Sequence, residues 1–314
     1  MVRYAVVDED PSRPVYAASL LLPDFALIVL GIALRRWFEG STDFWGGLER
    51  LIYYVLFPAL LFMANGRARI DFAAAAPMLA AGVAATVAGM LLAWLARPMF
   101  QPASATFAGG FQCSFRFNSY LGLALIGQLH GDAGLARMSL MLGIAIPLVN
   151  VVAIWSLARR TGHIGRELAR NPLIVGTVSG IAFSMAGLDL PAFGWEILRR
   201  LGSATLPLAL LAVGAGLRLE GGHARRGLIA WWTLVKLVAI PAAAWSLGHA
   251  FALDALSLHT VVLFAALPPA TSAYILAVRM HADANIAAVL ISAGTVAAMA
   301  TLPVWMAMIG VAAR

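Results

Sequence analysis

Apolar runs long enough to cross a bilayer recur along the whole chain, separated by short clusters of charge, Gly and Pro. A transmembrane helix needs about 20 predominantly apolar residues. On that measure the pattern predicts ten spans, at about 20–37, 46–65, 72–96, 103–130, 134–158, 172–187, 200–217, 227–250, 257–279 and 285–312. Residues 1–19 are polar and acidic rather than basic then greasy, which reads as an exposed tail and not a cleaved leader. A basic connector, RRTGHIGRELAR at 159–170, separates spans 5 and 6. The expected organisation is therefore tail 1–19, a first five-helix unit 20–158, a cytoplasmic connector 159–171 and a second five-helix unit 172–314. The fold class is all-α integral membrane.

Composition strengthens this reading. Of 314 residues, 61% are hydrophobic and only 12% charged, against roughly 25% charged in ordinary soluble domains. The net charge of +7 comes from 21 Arg and one Lys, with no basic run of the kind that binds nucleic acid. It fits membrane topology and contact with anionic head groups. One cysteine, Cys113, leaves no internal disulfide to read a compartment from. No Walker loop, HExxH, GxSxG elbow or aspartate-rich metal motif occurs, so neither enzyme chemistry nor ATP-driven transport by this chain alone is expected. No cofactor is implied.

The two halves match each other. At an offset of 149, Pro23 pairs with Pro172, Gly31-Ile32-Ala33 with Gly180-Ile181-Ala182, Arg50 with Arg199, Pro58 with Pro207, and Arg69 with Arg218. At an offset of 151, His130, Asp132 and Gly143 pair with His281, Asp283 and Gly294. A repeat with an odd number of spans must insert upside down relative to its copy. Inverted repeats characterise secondary transporters that work by alternating access. Loop arginines number twelve on one side and eight on the other, which places the N- and C-termini outside.

Two spans cannot be continuous helices. Span 4 carries Arg116 and Asn118 between Phe115, Phe117 and Ser119 at mid-depth. An arginine there costs at least about 2.5–3.5 kcal/mol unless it meets water, a partner or a ligand. No partner carboxylate is visible, since all 15 acidic residues lie in tails, loops or span ends. Arg116 could attract an anionic substrate, or cap backbone carbonyls. Span 9 carries Pro268-Pro269, which removes donors and clashes with the preceding turn; Pro269, Thr271 and Ser272 suit the restart of a helix. Unwound backbone at this depth belongs in a cavity or inside protein. Two such breaks facing each other offer free N–H groups for a carboxylate and free carbonyls for a cation. Lys236 is either a charge coupled to protons or a stem snorkelling to the interface. Asn150 either lines the cavity or bonds a neighbouring helix. Pro58 and Pro207 mark kinks or hinges, and His130 and His281 read as solvated span ends.

These stretches resemble the auxin efflux carrier family. The resemblance lies in NPLIVGTVSGIAFSMAGLDLPAF and LRRLGSATLPLALLAVGAGLRL within 171–219, LPDFALIVLGIALRR (22–36), FRFNSYLGLAL (115–125), LPPATSAYILAVRMHAD (267–283) and TLPVWMAM (301–308). It implies ten spans in two inverted five-helix repeats with crossed broken spans 4 and 9, as in bile acid/sodium symporters and sodium/proton antiporters. It further implies an anion site at the crossover, formed by Asn118 and its neighbours in span 4 and by Pro269, Thr271 and Ser272 in span 9, and homodimers in a bacterial inner membrane. Arg116, Ser119, Asn150 and Pro268 complete the candidate substrate site on the residue reading above. The short connector and the Arg116-Phe117-Asn118 run resemble the bacterial branch, whose members are linked to malonate and malate. The expected function is gradient- or potential-driven transport of a small organic anion, with proton or sodium as the open choice of coupling ion. The alternative is a sodium- or proton-coupled symporter of larger amphipathic anions such as auxin-like or bile-acid-like compounds.

Overall fold

The computed structural model describes residues 14–37, 42–67, 72–157, 172–216, 225–270 and 272–311, and their ordered structure is entirely helical. The tail up to residue 13 and the basic connector fall outside the described residues, as does Thr271.

The chain opens with α1 (Pro14–Trp37), α2 (Thr42–Leu51) and α3 (Phe57–Arg67), then α4 (Phe72–Trp94) and the short α5 (Ala96–Phe100). Next come α6 (Ser104–Phe111) and the long α7 (Ser119–Leu157). The second half contains α8 (Pro172–Met185), α9 (Ala192–Gly216), α10 (Arg226–Leu234), α11 (Ile240–Ala250), α12 (Ala255–Ala266), α13 (Ser272–Arg279) and α14 (Ala284–Met308). Among the described residues, six stretches are long and apolar enough to cross a membrane: Phe44–Arg67, Ala75–Phe100, Ser104–Ala153, Ala192–Gly216, Arg226–Ala250 and Ala284–Met308. The third runs through two expected spans. They are divided at Gly131, whose φ of 55° and ψ of −141° bend α7 between positions 130 and 132.

Two sets of helices pack side by side. In the first, α1 lies along α9 and α3 along α8. In the second, α4, α11 and α12 pack together, with α12 also against α7 and α14. The first set is joined through glycines. A Cβ on Gly31 would lie 2.1 Å from the Leu211 carbonyl oxygen, and one on Gly180 would lie 2.8 Å from that of Phe62. Gly31 and Gly180 stand 149 positions apart, and so do Phe62 and Leu211. Thr205 donates to the Leu56 carbonyl at 3.0 Å, across the same interval. Gly214 sits still closer, its hypothetical Cβ 1.9 Å from the Ile28 carbonyl.

Wide π turns precede two prolines. Ile52–Leu56 is closed by Phe57 N–H to the Ile52 carbonyl just before Pro58, and Val235–Ala239 by Ile240 N–H to Val235 just before Pro241. A proline ring crowds the carbonyl four residues earlier, and a wider turn moves that carbonyl aside. For Pro241 it is the carbonyl of Leu237, which accepts from the Trp305 indole at 2.9 Å instead. Pro58 thus marks a local widening within a long helical run. Pro207 lies exposed inside α9.

The expectation of solvated histidines holds for His281, which is exposed on a turn with φ of 54°. It fails for His130. Its Nε2 lies 2.9 Å from Nδ1 of buried His259, whose Nε2 meets the Ile309 carbonyl at 3.0 Å. The bend at Gly131 turns the end of that span back over α12, so the ring finds a partner inside the protein.

Candidate functional site

The two interrupted helices meet. After α6, a 3₁₀ turn over Gln112–Ser114 and non-helical backbone through Asn118 carry the chain to α7. Glycine at 109 and 110 lets α6 approach closely: a Cβ on Gly109 would lie 2.3 Å from the Asp283 carbonyl, and one on Gly110 2.1 Å from the Trp232 ring. On the other side, α12 ends at Ala266 and Leu267 turns extended, with φ of −59° and ψ of 142°. That conformation is the one a residue before proline prefers. The Pro268-Pro269 pair then carries non-helical backbone to Ala270 before α13 restarts.

Asn118 N–H donates to the Pro268 carbonyl at 2.8 Å, which joins the two breaks directly. The Asn118 side chain accepts from the N–H groups of Tyr120 and Leu121 at 3.1 and 3.2 Å, so it caps the first turn of α7. The Phe117 and Phe264 rings stand edge to face at 4.5 Å. Close packing continues around them, for a Cβ on Gly122 would strike Leu267 and one on Gly294 would strike Pro269, each at 2.6 Å.

Two cations converge on this junction. Arg116 Nη2 donates to Ser272 Oγ at 3.0 Å, at the start of α13. Lys236 Nζ donates to the Ala265 carbonyl at 3.0 Å, at the end of α12. The carbonyl end of a helix carries partial negative charge, so an ammonium there is favourably placed. Lys236 is only 2% exposed, with its charge turned inward on backbone. The snorkelling alternative therefore falls. Arg116 does not cap carbonyls with its guanidinium either; Nη1 is buried with no hydrogen-bond partner. Among the described residues, no carboxylate pairs with either cation; the ion pairs formed are Arg137–Asp254, Arg199 and Arg200 with Glu196, and Arg225–Asp283. Removing cations from water without an anion is costly. The junction therefore has a surplus of positive charge that an incoming anion can balance.

Of the residues singled out from sequence, Arg116, Asn118, Pro268, Pro269 and Ser272 come together here, and Ser119 begins α7 beside them. Asn150 is half-buried in the second part of α7, and no side-chain hydrogen bond ties it to the crossing among the described residues. Pro58 belongs to the glycine-lined pairing, its carbonyl 2.7 Å from where a Gly176 Cβ would sit. Two residues were missed. Gln112 is fully buried and donates through Nε2 to the Ala273 carbonyl at 3.1 Å, while its Oε1 has no partner. Ser114 is also fully buried, its hydroxyl unpartnered.

Polar clusters fasten the outer ends of the broken helices. Asp283 caps α14 through Ile286 N–H, takes Thr106 Oγ at 3.0 Å and pairs with Arg225 at 2.7 Å. Its backbone N–H meets the Ala105 carbonyl at 3.1 Å, tying α6 to α14. Partial burial pushes the Asp283 carboxyl up, but the bonds from Arg225, Ile286 and Thr106 outweigh this and hold it below the usual carboxylate value. At the start of α12, Arg137 donates to Ser257 and lies 3.7 Å from Asp254.

Residues 158–306 match the family model described as "Membrane transport protein". The chain is 27% identical over 274 residues to the "Putative malonate transporter" of Rhizobium meliloti (strain 1021), covering 82% of this chain and 85% of the relative. It is 24% identical over 303 residues to the "Uncharacterized transporter YfdV" of Escherichia coli (strain K12), covering 91% and 95%. An "Uncharacterized transporter" of Methanothermobacter thermautotrophicus is 25% identical over 297 residues, covering 91% and 94%.

Proposed function

We propose that this chain, whose residues 158–306 match the membrane transport protein model, moves a small organic anion, a malonate- or malate-like carboxylate, by alternating access at the crossing of its two broken helices. The observation that carries this reading is the buried Arg116 Nη1 without an acceptor, set beside Ser272 in a junction that also contains Lys236 and no acidic partner among the described residues. A carboxylate would bridge to Nη1 and gain from the Lys236 charge. The name of the 27%-identical relative agrees with this substrate class.

Ten spans in two inverted five-helix units form part of the same proposal. The reciprocal contacts of Gly31 with Leu211 and Gly180 with Phe62, at one constant interval, support it. In this scheme the glycine-joined helices α1, α3, α8 and α9 form the stationary frame. The crossing, with α4, α7 and α10–α14, moves against that frame and carries the anion through a bacterial inner membrane as half of a homodimer. Lys236 would be the point where a gradient or the membrane potential acts, with proton or sodium as the coupling ion and both termini outside.

The test is binding and uptake of labelled malonate by purified and reconstituted protein. Wild type takes up malonate, and Arg116→Ala loses at least about a hundredfold in affinity, as for a charge-assisted contact left unmade, while melting as wild type does. An unchanged Kd in Arg116→Ala would remove the anion from this site.

A further inference from the structure

Besides the Ser114 hydroxyl, which can donate or accept, the unmet polar atoms at the crossing are of two opposite kinds. Arg116 Nη1 is a donor without an acceptor, and Gln112 Oε1 is an acceptor without a donor. The Gln112 amide orientation is fixed chemically: Nε2 faces the Ala273 carbonyl, and a flipped amide would set oxygen against oxygen. The Ala273 N–H is already used by the Ala270 carbonyl at 3.0 Å, so it does not serve Oε1. Both side chains are anchored on neighbouring residues, Arg116 on Ser272 and Gln112 on Ala273. Their backbones are joined as well, with Arg116 N–H donating to the Gln112 carbonyl at 3.0 Å. The two open valences thus sit on buried side chains four residues apart, anchored on successive residues at the start of α13.

A fully ionised carboxylate satisfies only one of them. Its oxygens accept from Arg116 but repel Gln112 Oε1, and a buried acceptor left unmet costs about 1–3 kcal/mol. We propose, resting on the carboxylate reading above, that the guest brings an O–H donor close to its carboxylate and that Gln112 Oε1 accepts from it. Gln112 is then a specificity-determining residue, and the transported acid is a hydroxy-carboxylate or a dicarboxylate that retains one proton. Sites built to hydrogen-bond a hydroxyl reject analogues without it because their own polar groups are left unpaired.

Titration calorimetry on the purified protein separates the two donor sources. Hydroxymalonate against malonate at pH 8, where both are dianions, tests the hydroxyl. Malonate at pH 5 against pH 8 tests the retained proton. The expected result is a gain of at least about tenfold in one of these comparisons, falling below about threefold in Gln112→Met, whose side chain has similar length but no strong acceptor. Equal affinities in both wild-type comparisons overturn the inference and leave a water as the partner of Oε1. A gain that survives in Gln112→Met also overturns it. If the variant does not fold, the wild-type ratios still decide. Binding of neither acid at either pH defeats the carboxylate reading itself, an outcome distinct from equal affinities.

Discussion

Two of the close approaches between helices among the described residues, the glycine seam and the crossing, are built in different ways. Along α1–α9 and α3–α8, glycine lets backbone meet backbone, with hypothetical Cβ atoms 1.9–2.8 Å from facing carbonyls at Gly214, Gly31, Gly176 and Gly180. Buried polar side chains in that seam bond to backbone, as Thr205 does to Leu56 and Asn65, through Nδ2, to Leu61, with Asn65 Oδ1 the one such atom among these left open. At the crossing the packing is just as tight, yet Gln112, Ser114 and Arg116 keep buried atoms without partners. Natural interiors pair nearly all such groups. The seam leaves one neutral acceptor open, whereas the crossing leaves three neighbouring side chains open, one of them a cation. Under the proposed function, that difference in number and charge is what separates a frame from a binding site.

Substitutions test the contrast from both sides. The largest effect on folding is expected in the seam. Gly214→Leu drives a side chain into the Ile28 carbonyl and destabilises by about 3 kcal/mol, the upper range for overpacking, read as a lost or sharply lowered melting transition. At the crossing, Lys236→Met leaves the Ala265 carbonyl without its donor and costs about 1–3 kcal/mol; calorimetry should also show malonate bound about tenfold more weakly as one of two cations is lost. Asn118→Asp keeps a capping oxygen for Tyr120 and Leu121, so stability changes by less than about 1 kcal/mol, but the added negative charge beside Arg116 should abolish anion binding. A variant that loses stability and keeps binding would break the distinction.

The smallest effect lies outside both contacts. The Asp283 carboxyl is depressed, so its contribution is present above the unfolded value of about 3.9 and is lost as pH falls through the lower folded value. Wild type should therefore melt above Asp283→Asn at pH 7, by less than about 1 kcal/mol for a solvent-screened pair. The two should converge as pH falls below about 4. A gap that widens in acid would contradict the assignment of the bonds from Arg225 and Thr106.

Much of this was legible in the residues. Pro268-Pro269 and the Arg116–Asn118 run announce interruptions because each violates a requirement of a continuous apolar helix. The interval of 149 shared by Gly31 and Gly180 recurs in their contacts. Lys236 was legible as an anomaly but not as an anchor, because its carbonyl partner lies 29 positions away on a helix whose end depends on the second break. Gln112 was not legible at all. A neutral amide among Phe, Gly and Cys carries no periodicity, and only the approach of α13 leaves one end satisfied and the other open. The His130–His259 pair was hidden for a similar reason, since it needs the bend at Gly131.

Cys113, the sole thiol of the chain, lies between Gln112 and Ser114 and is 1% exposed, with its Sγ near the Gly109 and Ala287 carbonyls. A maleimide has no route to that sulfur while the surrounding helices stay closed. The rate at which the unaltered protein is alkylated therefore clocks how often the crossing comes into contact with solvent, and a bound guest that holds it shut will slow the clock.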